Sequence, residues 1–464
     1  MQLVQSDNTR ITFYGGAGEV TGVSILLETR GGEEKGARIL LDCGLLQREH
    51  ACDATNAADF AFAPASLDAL VVSHAHADHI GRIPRLVRHG FRGHIHSTAP
   101  TKELAALMFE DAYTIMRSEA DTHGCELLYE HKDITQALSQ WRVYGYHEPV
   151  RLSDGVSAEF LDAGHILGSA MVRLTRAGRT LLFTGDLGNS PEPLLRDTES
   201  PAGAEYLITE SVYGDRAHEG RAGRKEALRR AIEDARARKG TLLIPSFSIE
   251  RTQILLHEIN SMVESGDLAP IPVYLDSPLA IRVTDVYRRF AAYLNDEVQA
   301  RIAAGDDPFD FSGLSLTPKA EQSEGIHRAP DPKIIIAGSG MSHGGRIREH
   351  ERRYLSDKNA AVLFVGYQSP GSLGRRIRDG AKEVSIDGVR VKVRAHIGEV
   401  TGYSGHKDRD ALLAFAEQAA PTLKNVFVAL GETRSSAFLA QRIRDFLDLE
   451  TVVPERGASY TIEW

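Results

Sequence analysis

Between Ser73 and His79 the chain reads Ser-His-Ala-His-Ala-Asp-His. Three imidazoles and a carboxylate this close together are ligand chemistry rather than packing. A strand interior needs apolar side chains, and a surface turn needs Gly, Asn or Ser. His74 and His76 stand two apart, so in extended backbone both project to one side. Asp78 and His79 then turn back. The result is a concave set of nitrogen and oxygen donors of the kind that suits zinc.

The elements that must position this set are legible on both sides. Leu67 to Val72 is an apolar run, broken by one Asp, that reads as a buried strand. Ile80 to Val87 reads as a short helix. The same form recurs along the first half. Arg38 to Leu41 is an apolar strand ending at Asp42, which by itself reads as a turn former before Gly44. Glu159 to Asp162 leads to His165, Thr180 to Thr184 leads to Asp186, and Glu205 to Thr209 ends at Glu210. Five strands that each deliver an ionisable group at one end predict a metal-binding rim on a sheet.

Composition bounds the class. The chain has 464 residues, enough for two or three domains, with 42% hydrophobic and 25% charged residues, as in an ordinary globular protein. No run approaches the ~20 apolar residues of a membrane span, and Met1 to Thr9 lacks the apolar core of a signal peptide. Cys43, Cys52 and Cys125 form no paired metal motif and fit a reducing, cytoplasmic setting. A net charge of -10 argues against nonspecific coating of nucleic acid but leaves room for a local basic groove.

Ile11 to Tyr14 and Val23 to Glu28 read as strands around a glycine-rich turn, and no dinucleotide fingerprint is present because no helix follows. Arg30 to Ala37 reads as a polar hairpin connection, and Pro100 to Leu138 is helical in composition. After Glu210 the character changes. A charged helix over Gly220 to Lys239, with Leu228, Ala231, Ile232 and Ala235 as its apolar stripe, opens an alternation of strands and helices that predicts a parallel α/β sheet. Thr241 to Ile244, Ile271 to Leu275, Lys333 to Ala337 and Ala361 to Val365 are its strands. Gly305 to Pro332 reads as partly irregular. Ser339 to Gly345 is a glycine-rich loop opening a helix, which offers backbone N–H groups to an anion.

His74-Ala75-His76-Ala77-Asp78-His79, with Asp42, His165 and Asp186, resembles the metallo-β-lactamase signature. Glu210, Pro245-Ser246-Phe247 with Arg251-Thr252-Gln253, Asp276-Ser277-Pro278, Ser339-Gly340-Met341 with Gly344-Gly345, and Ser404-Gly405-His406 resemble its β-CASP branch of nucleases, which includes RNase J. The resemblance spans nearly the whole chain. It implies an αββα sandwich from residues 1–212 and 385–464, with an α/β β-CASP domain, 213–384, inserted, and a cleft between them. It implies two zincs. His74, His76 and His165 would hold one, Asp78 and His79 the other, and Asp186 would bridge them. Asp42 would orient a ligand histidine. Asp78, Glu210 and His406 would be catalytic. The expected substrate is single-stranded RNA, its phosphates met by Arg251, Ser339, Gly340, Gly344, Gly345 and Arg375, with Arg376 a further candidate. A homodimer is an admissible assembly.

One departure stands out. The family ends a late strand with a histidine before Gly-Glu, whereas here Val426 to Leu430 precedes Gly431-Glu432. Leu430 cannot bind zinc. The second set is therefore expected to be weaker and oxygen-rich, partly occupied or open to manganese, with His396 and His343 as substitutes. Two other functions compete with a ribonuclease: a small-molecule hydrolase on the same fold, and an RNA-binding homologue with activity reduced by Leu430. The inserted domain argues against the first and the surviving ligands against the second. The chain ends soon after the returning sandwich segment, which favours an endonuclease.

Overall fold

A computed structural model describes residues 8–29, 36–47, 53–124, 126–153, 155–218, 221–369 and 371–464. Cys52 and Cys125, most of the Arg30 to Ala37 connection and the first residues of the chain lie outside them. The chain divides into two compact units, Met1–Ala217 with Gly405–Trp464, and His218–Ser404.

The first unit is built on two seven-stranded sheets. One runs in the order Ser459–Glu463, Asn8–Gly15, Ser24–Thr29, Arg38–Leu41, Ala69–Val71, His94–Thr98 and Trp141–Tyr144. The other runs Thr451–Val452, Asn425–Val428, Tyr206–Thr209, Arg179–Phe183, Ala170–Arg176, Val156–Asp162 and Val150–Ser153. Alternation along the strands sends one set of side chains into a shared core, where Phe13, Ile25, Leu41, Val71, Phe160, Phe183, Ile208 and Phe427 are fully buried or nearly so. The opposite face of the second sheet buries Leu182, Leu207 and Val428 under the helices Arg409–Ala419 and Thr433–Leu447. Asp408 caps the first of these helices by accepting from the N–H groups of Asp410 and Ala411. The expected Pro100 to Leu138 helix is two helices, Ala99–His123 and His131–Gln140.

The second unit carries a six-stranded parallel sheet, Leu314–Leu316, Val273–Leu275, Lys333–Ala337, Thr241–Pro245, Ala361–Phe364 and His396–Glu399. Its four inner strands are near-continuous apolar runs, as expected where helices cover a parallel sheet on both faces, while the edge strands Leu314–Leu316 and His396–Glu399 are more polar and exposed. The helix Arg224–Arg238 buries Leu228, Ile232 and Ala235 and pairs Arg229 and Arg230 with glutamates on its outer face. The span read as irregular holds the strand Leu314–Leu316 and the helix Ala320–Gly325.

The boundary expected at 384/385 falls at 404/405. Its cause is the strand His396–Glu399, which pairs in parallel with Ala361–Phe364 and so closes the second unit's sheet. The other boundary, expected after 212, falls after Ala217.

Candidate metal centre

Asp42, His74, His165, Asp186 and Glu210 each lie at or within a few residues of a strand end, as the repeated sequence form requires, whereas Asp78 and His79 belong to the short helix Ala77–Ile80. Asp42 follows Arg38–Leu41 with φ +56°, a conformation uncommon for a residue with a Cβ. Four hydrogen bonds hold it there. Its N–H donates to Val71 O at 2.9 Å, and Oδ1 accepts from Ser73 N at 2.8 Å. Oδ2 accepts from Ser73 Oγ and from His79 Nδ1, both at 2.7 Å. With Nδ1–H committed to Asp42, His79 turns Nε2 inward as its remaining ring nitrogen. Gly44 passes so close to this corner that a Cβ would stand 1.6 Å from Asp78 O, so no other residue fits.

His165 is fixed by the same logic. Its Nδ1–H donates to Gly405 O at 2.9 Å, which leaves Nε2 facing His76. Its backbone N–H donates to Ser169 Oγ at 3.0 Å. His74, His76, His165 and Asp186 each bring one donor atom within 4.8 Å of all the others. His74 Nε2 lies 3.1 Å and His165 Nε2 3.2 Å from the same atom, His76 Nδ1. Both also lie near Asp186 Oδ2, at 3.5 and 3.6 Å. One proton on His76 Nδ1 can satisfy only one of these neighbours, and a cation facing all of them satisfies the set. Burial, then the charge of His79 for His74 and of His406 for His165, pushes both imidazoles well below their ordinary range, which favours the neutral form that metal ligation requires. Three nitrogens and a carboxylate oxygen fit a divalent metal.

The other predicted residues gather around Asp186. His79 Nε2 lies 3.3 Å from Asp186 Oδ1 without the alignment of a hydrogen bond. Burial disfavours the His79 cation, but Asp186 and Asp42 outweigh it and raise the imidazole well above its usual value. The same two carboxylates that hold this proton would favour a divalent ion in its place. Asp78, at the first turn of the short helix Ala77–Ile80, is 9% exposed; burial pushes its carboxyl up, and His79, Asp186 and His406 act on its charge. It belongs to neither of the two groups of converging donors among the described residues.

The second such group is Asp186, Glu210 and His406. Here the fold joins what the sequence left apart: His406 Nδ1 lies 3.3 Å from Glu210 Oε1, across 196 residues. Glu210 is fully buried; Oε1 also accepts from Leu187 N at 2.6 Å, and Oε2 has no hydrogen-bond partner. Burial raises the Glu210 carboxyl. Burial works against the His406 cation too, but Glu210 and Asp186 prevail and lift it to about 9.

Leu430 follows Asn425–Val428 with φ +48° and is fully buried in the inter-sheet core beside Gly16. Its N–H donates to Gly16 O at 2.7 Å. His343 and His396 are exposed and join neither donor group among the described residues.

The expected phosphate contacts lie in the second unit. Ser339 N–H donates to Gly344 O at 3.1 Å and Gly344 N–H to Ser339 Oγ at 3.2 Å, so both are spent inside the loop rather than offered to an anion. Arg375 is tied to Asp379 at 2.6 Å. Arg251 lies over the Tyr403 ring, 5.7 Å from its centre. Sequence reasoning gave no role to Ser73, whose hydroxyl touches Asp42 and His74, or to Ser169 and Gly405. Only the adjacency of Ser73 to the histidine run signalled the first.

The chain matches the family profiles of the metallo-beta-lactamase superfamily over 17–246, the Beta-Casp domain over 252–377 and the Zn-dependent metallo-hydrolase RNA specificity domain over 390–454. A ribonuclease of Thermus thermophilus is 39% identical over 404 residues, 87% of this chain and 90% of that one. An RNase J-like protein of Methanocaldococcus jannaschii is 30% identical, covering 96% of this chain and 98% of its own. A transcription termination factor of Methanococcus maripaludis is 32% identical over 96% of this chain and 70% of its own. A crystal structure of a protein of unknown function from Enterococcus faecalis shares the fold at a TM-score of 0.58 and 13% identity, over 98% of this chain and all of that one. Among the described residues no helix is long and apolar enough to cross a membrane. The motif order along the chain, the paired sheets and the full-length likeness to the Thermus and Methanocaldococcus proteins agree: this chain belongs to the β-CASP branch of the metallo-β-lactamase superfamily.

Proposed function

We propose that this protein is a metal-dependent ribonuclease that cuts single-stranded RNA internally by phosphodiester hydrolysis. The observation that carries the reading is the convergence of His74, His76, His165 and Asp186 beside the Glu210–His406 pair, on a chain of this family. His74, His76 and His165 would hold one ion and Asp78 and His79 a second, with Asp186 serving both. The first donor set is nitrogen-rich and suits zinc; the second is richer in oxygen and admits manganese. When bound, such ions acidify water and neutralise phosphate oxygens.

The chain's own residues do the rest. Asp42 and Gly405 O hold His79 and His165 in the tautomers that leave Nε2 free to ligate. Asp78 takes a proton from the attacking water. The bond from phosphorus to the 3′-oxygen breaks, and His406, oriented by Glu210, donates a proton to that oxygen. The products are a 5′-phosphate and a 3′-hydroxyl. We place the enzyme in the cytoplasm and admit a homodimer.

The test is metal analysis and cleavage of a short labelled RNA after dialysis, for the unmodified protein and His76→Ala. The expected result is one tight ion and a weaker second in the former, and loss of the tight ion together with all cleavage in the latter. Full occupancy in His76→Ala would sink the ligand assignment. Two equally tight ions in the unmodified protein would overturn the role given to Leu430.

A further inference from the structure

In the second unit's parallel sheet, the order in which the chain lays down strands reverses between two neighbours, Lys333–Ala337 and Thr241–Pro245. From Thr241–Pro245 the chain moves to Val273–Leu275 on one side; from Lys333–Ala337 it moves to Ala361–Phe364 on the other. Right-handed crossovers in opposite directions put the intervening helices on opposite faces, so the loops leaving these two strands part. In open α/β sheets, the crevice at such a point is where ligands bind. Here one loop carries Ser246, Phe247 and Ser248, and the other runs from Gly338 to Arg346.

Phe247 is 37% exposed at this point. One edge of its ring rests on bare backbone. A Cβ on Gly340 would lie 2.7 Å from ring carbon Cδ2, and one on Gly366 would lie 3.4 Å from Cε2. The buried Gln368 amide ties this floor together by donating to Gly340 O at 2.8 Å and Gly366 O at 3.2 Å. The loop of Phe247 is pinned as well: Ser246 N–H donates to Ala337 O at 3.0 Å, and Thr252 Oγ1 donates to Phe247 O at 2.7 Å. No ring among the described residues stacks on Phe247. Where the second loop begins, Ser277 Oγ and Ser248 Oγ stand 3.5 and 3.7 Å from where a Cβ on Gly338 would be.

We infer that Phe247, on its Gly340–Gly366 floor, is a stacking platform for one nucleobase of single-stranded RNA. A single aromatic ring on a backbone floor is too small a surface to seat an apolar protein segment. It suits a planar ring whose edge carries donors and acceptors, and it accepts every base because each has a π-face. The inference rests on the ribonuclease reading and adds a base-binding position to it. Tyr367, which follows Gly366 and is 45% exposed, stands next along the chain from this floor.

The experiment measures binding of a phosphorothioate single-stranded RNA, and of the same backbone with abasic positions, to the unmodified protein, Phe247→Ala and Phe247→Trp. Phe247→Ala should weaken binding of the base-carrying RNA by roughly tenfold, and Phe247→Trp should restore it. All three should bind the abasic strand alike. The fluorescence of the new indole should be quenched by the base-carrying strand and not by the abasic one; the two native tryptophans, Trp141 and Trp464, are buried. If Phe247→Ala fails to fold, Phe247→Leu takes its place as the apolar, non-aromatic variant. Unchanged affinity in the non-aromatic variant, or equal quenching by both strands, overturns the platform while RNA cleavage by the unmodified protein keeps the ribonuclease reading. Absence of RNA binding and cleavage in the unmodified protein overturns both.

Discussion

The two units each bury a carboxylate against a histidine, and the two pairs are built to opposite ends. Asp276 is fully buried and saturated: it accepts from His350 Nε2 at 2.7 Å, Arg346 Nη1 at 2.6 Å, Thr317 Oγ1 at 2.7 Å and Ser323 Oγ at 2.6 Å. Burial alone would raise its carboxyl, but these bonds bring it down to about 2. Glu210 is equally buried, yet one of its oxygens has no partner and the other shares His406 with Leu187 N–H. Its carboxyl goes up rather than down. The difference teaches how to separate a brace from a reactive pair. A brace spends every lone pair on its neighbours. A reactive pair keeps some unspent, in a place where the ordinary cost of doing so is about 1–3 kcal/mol.

The contrast breaks if both pairs respond alike to mutation. His406→Ala should lower kcat for RNA cleavage by about 10²–10⁴-fold and leave the melting temperature near that of the unmodified protein. A loss of folding instead, with normal turnover in the folded fraction, would make this pair a brace too. Asp276→Ala should do the reverse. It leaves His350 and Arg346 facing a void and should cost about 3–5 kcal/mol in urea unfolding, so a stable Asp276→Ala protein would remove the basis of the comparison.

Two smaller effects sharpen it. Asp42→Asn keeps the shape around His79 but weakens its hold on Nδ1–H; metal affinity measured by chelator competition should fall by roughly 10–100-fold while the fold is retained. Glu351 supplies a pH test within the second unit. Burial lifts its carboxyl from 4.5 to about 8, although Ser342 Oγ donates to it at 2.5 Å. The folded chain thus holds a proton that the unfolded chain has shed. That stabilisation is complete below about pH 4.5 and is lost as pH rises through about 8. Glu351→Gln should therefore flatten the decline in melting temperature between about pH 6 and about pH 8.5; an unchanged slope would exclude Glu351 as its source.

The first donor group and Asp42 were readable because strands signal their own ends. Asp42, His74, His76, His165 and Asp186 each follow an apolar run, and the run fixes the backbone that presents them. The meeting of Glu210 and His406 was not readable. It depends on Asn425–Val428 pairing beside Tyr206–Thr209 and on the bridge between Gly188 and His406, both choices made only in three dimensions. The brace at Asp276 was hidden for the same reason, since its partners come 41 to 74 residues later. The 404/405 boundary escaped because a short polar strand such as His396–Glu399 carries little pattern until a neighbour completes it. At the Ser339 loop, glycine content revealed backbone freedom but not that the N–H groups of Ser339 and Gly344 bond within the loop.

Gly405 and His406 lie beyond the whole second unit in the chain, and that placement sets an order of assembly on the ribosome. His74, His76, His165 and Asp186 leave the exit tunnel early. The carbonyl that fixes the His165 tautomer and the partner of Glu210 arrive only after His218–Ser404 has been made. At about 5–20 residues per second, that interval is roughly 10–40 s. Throughout it the Tyr206–Thr209 edge lacks its neighbour Asn425–Val428 and remains open to another strand. The second unit, whose sheet is drawn wholly from its own stretch, can fold in the meantime. The candidate metal centre therefore cannot be completed until the whole second unit has been made.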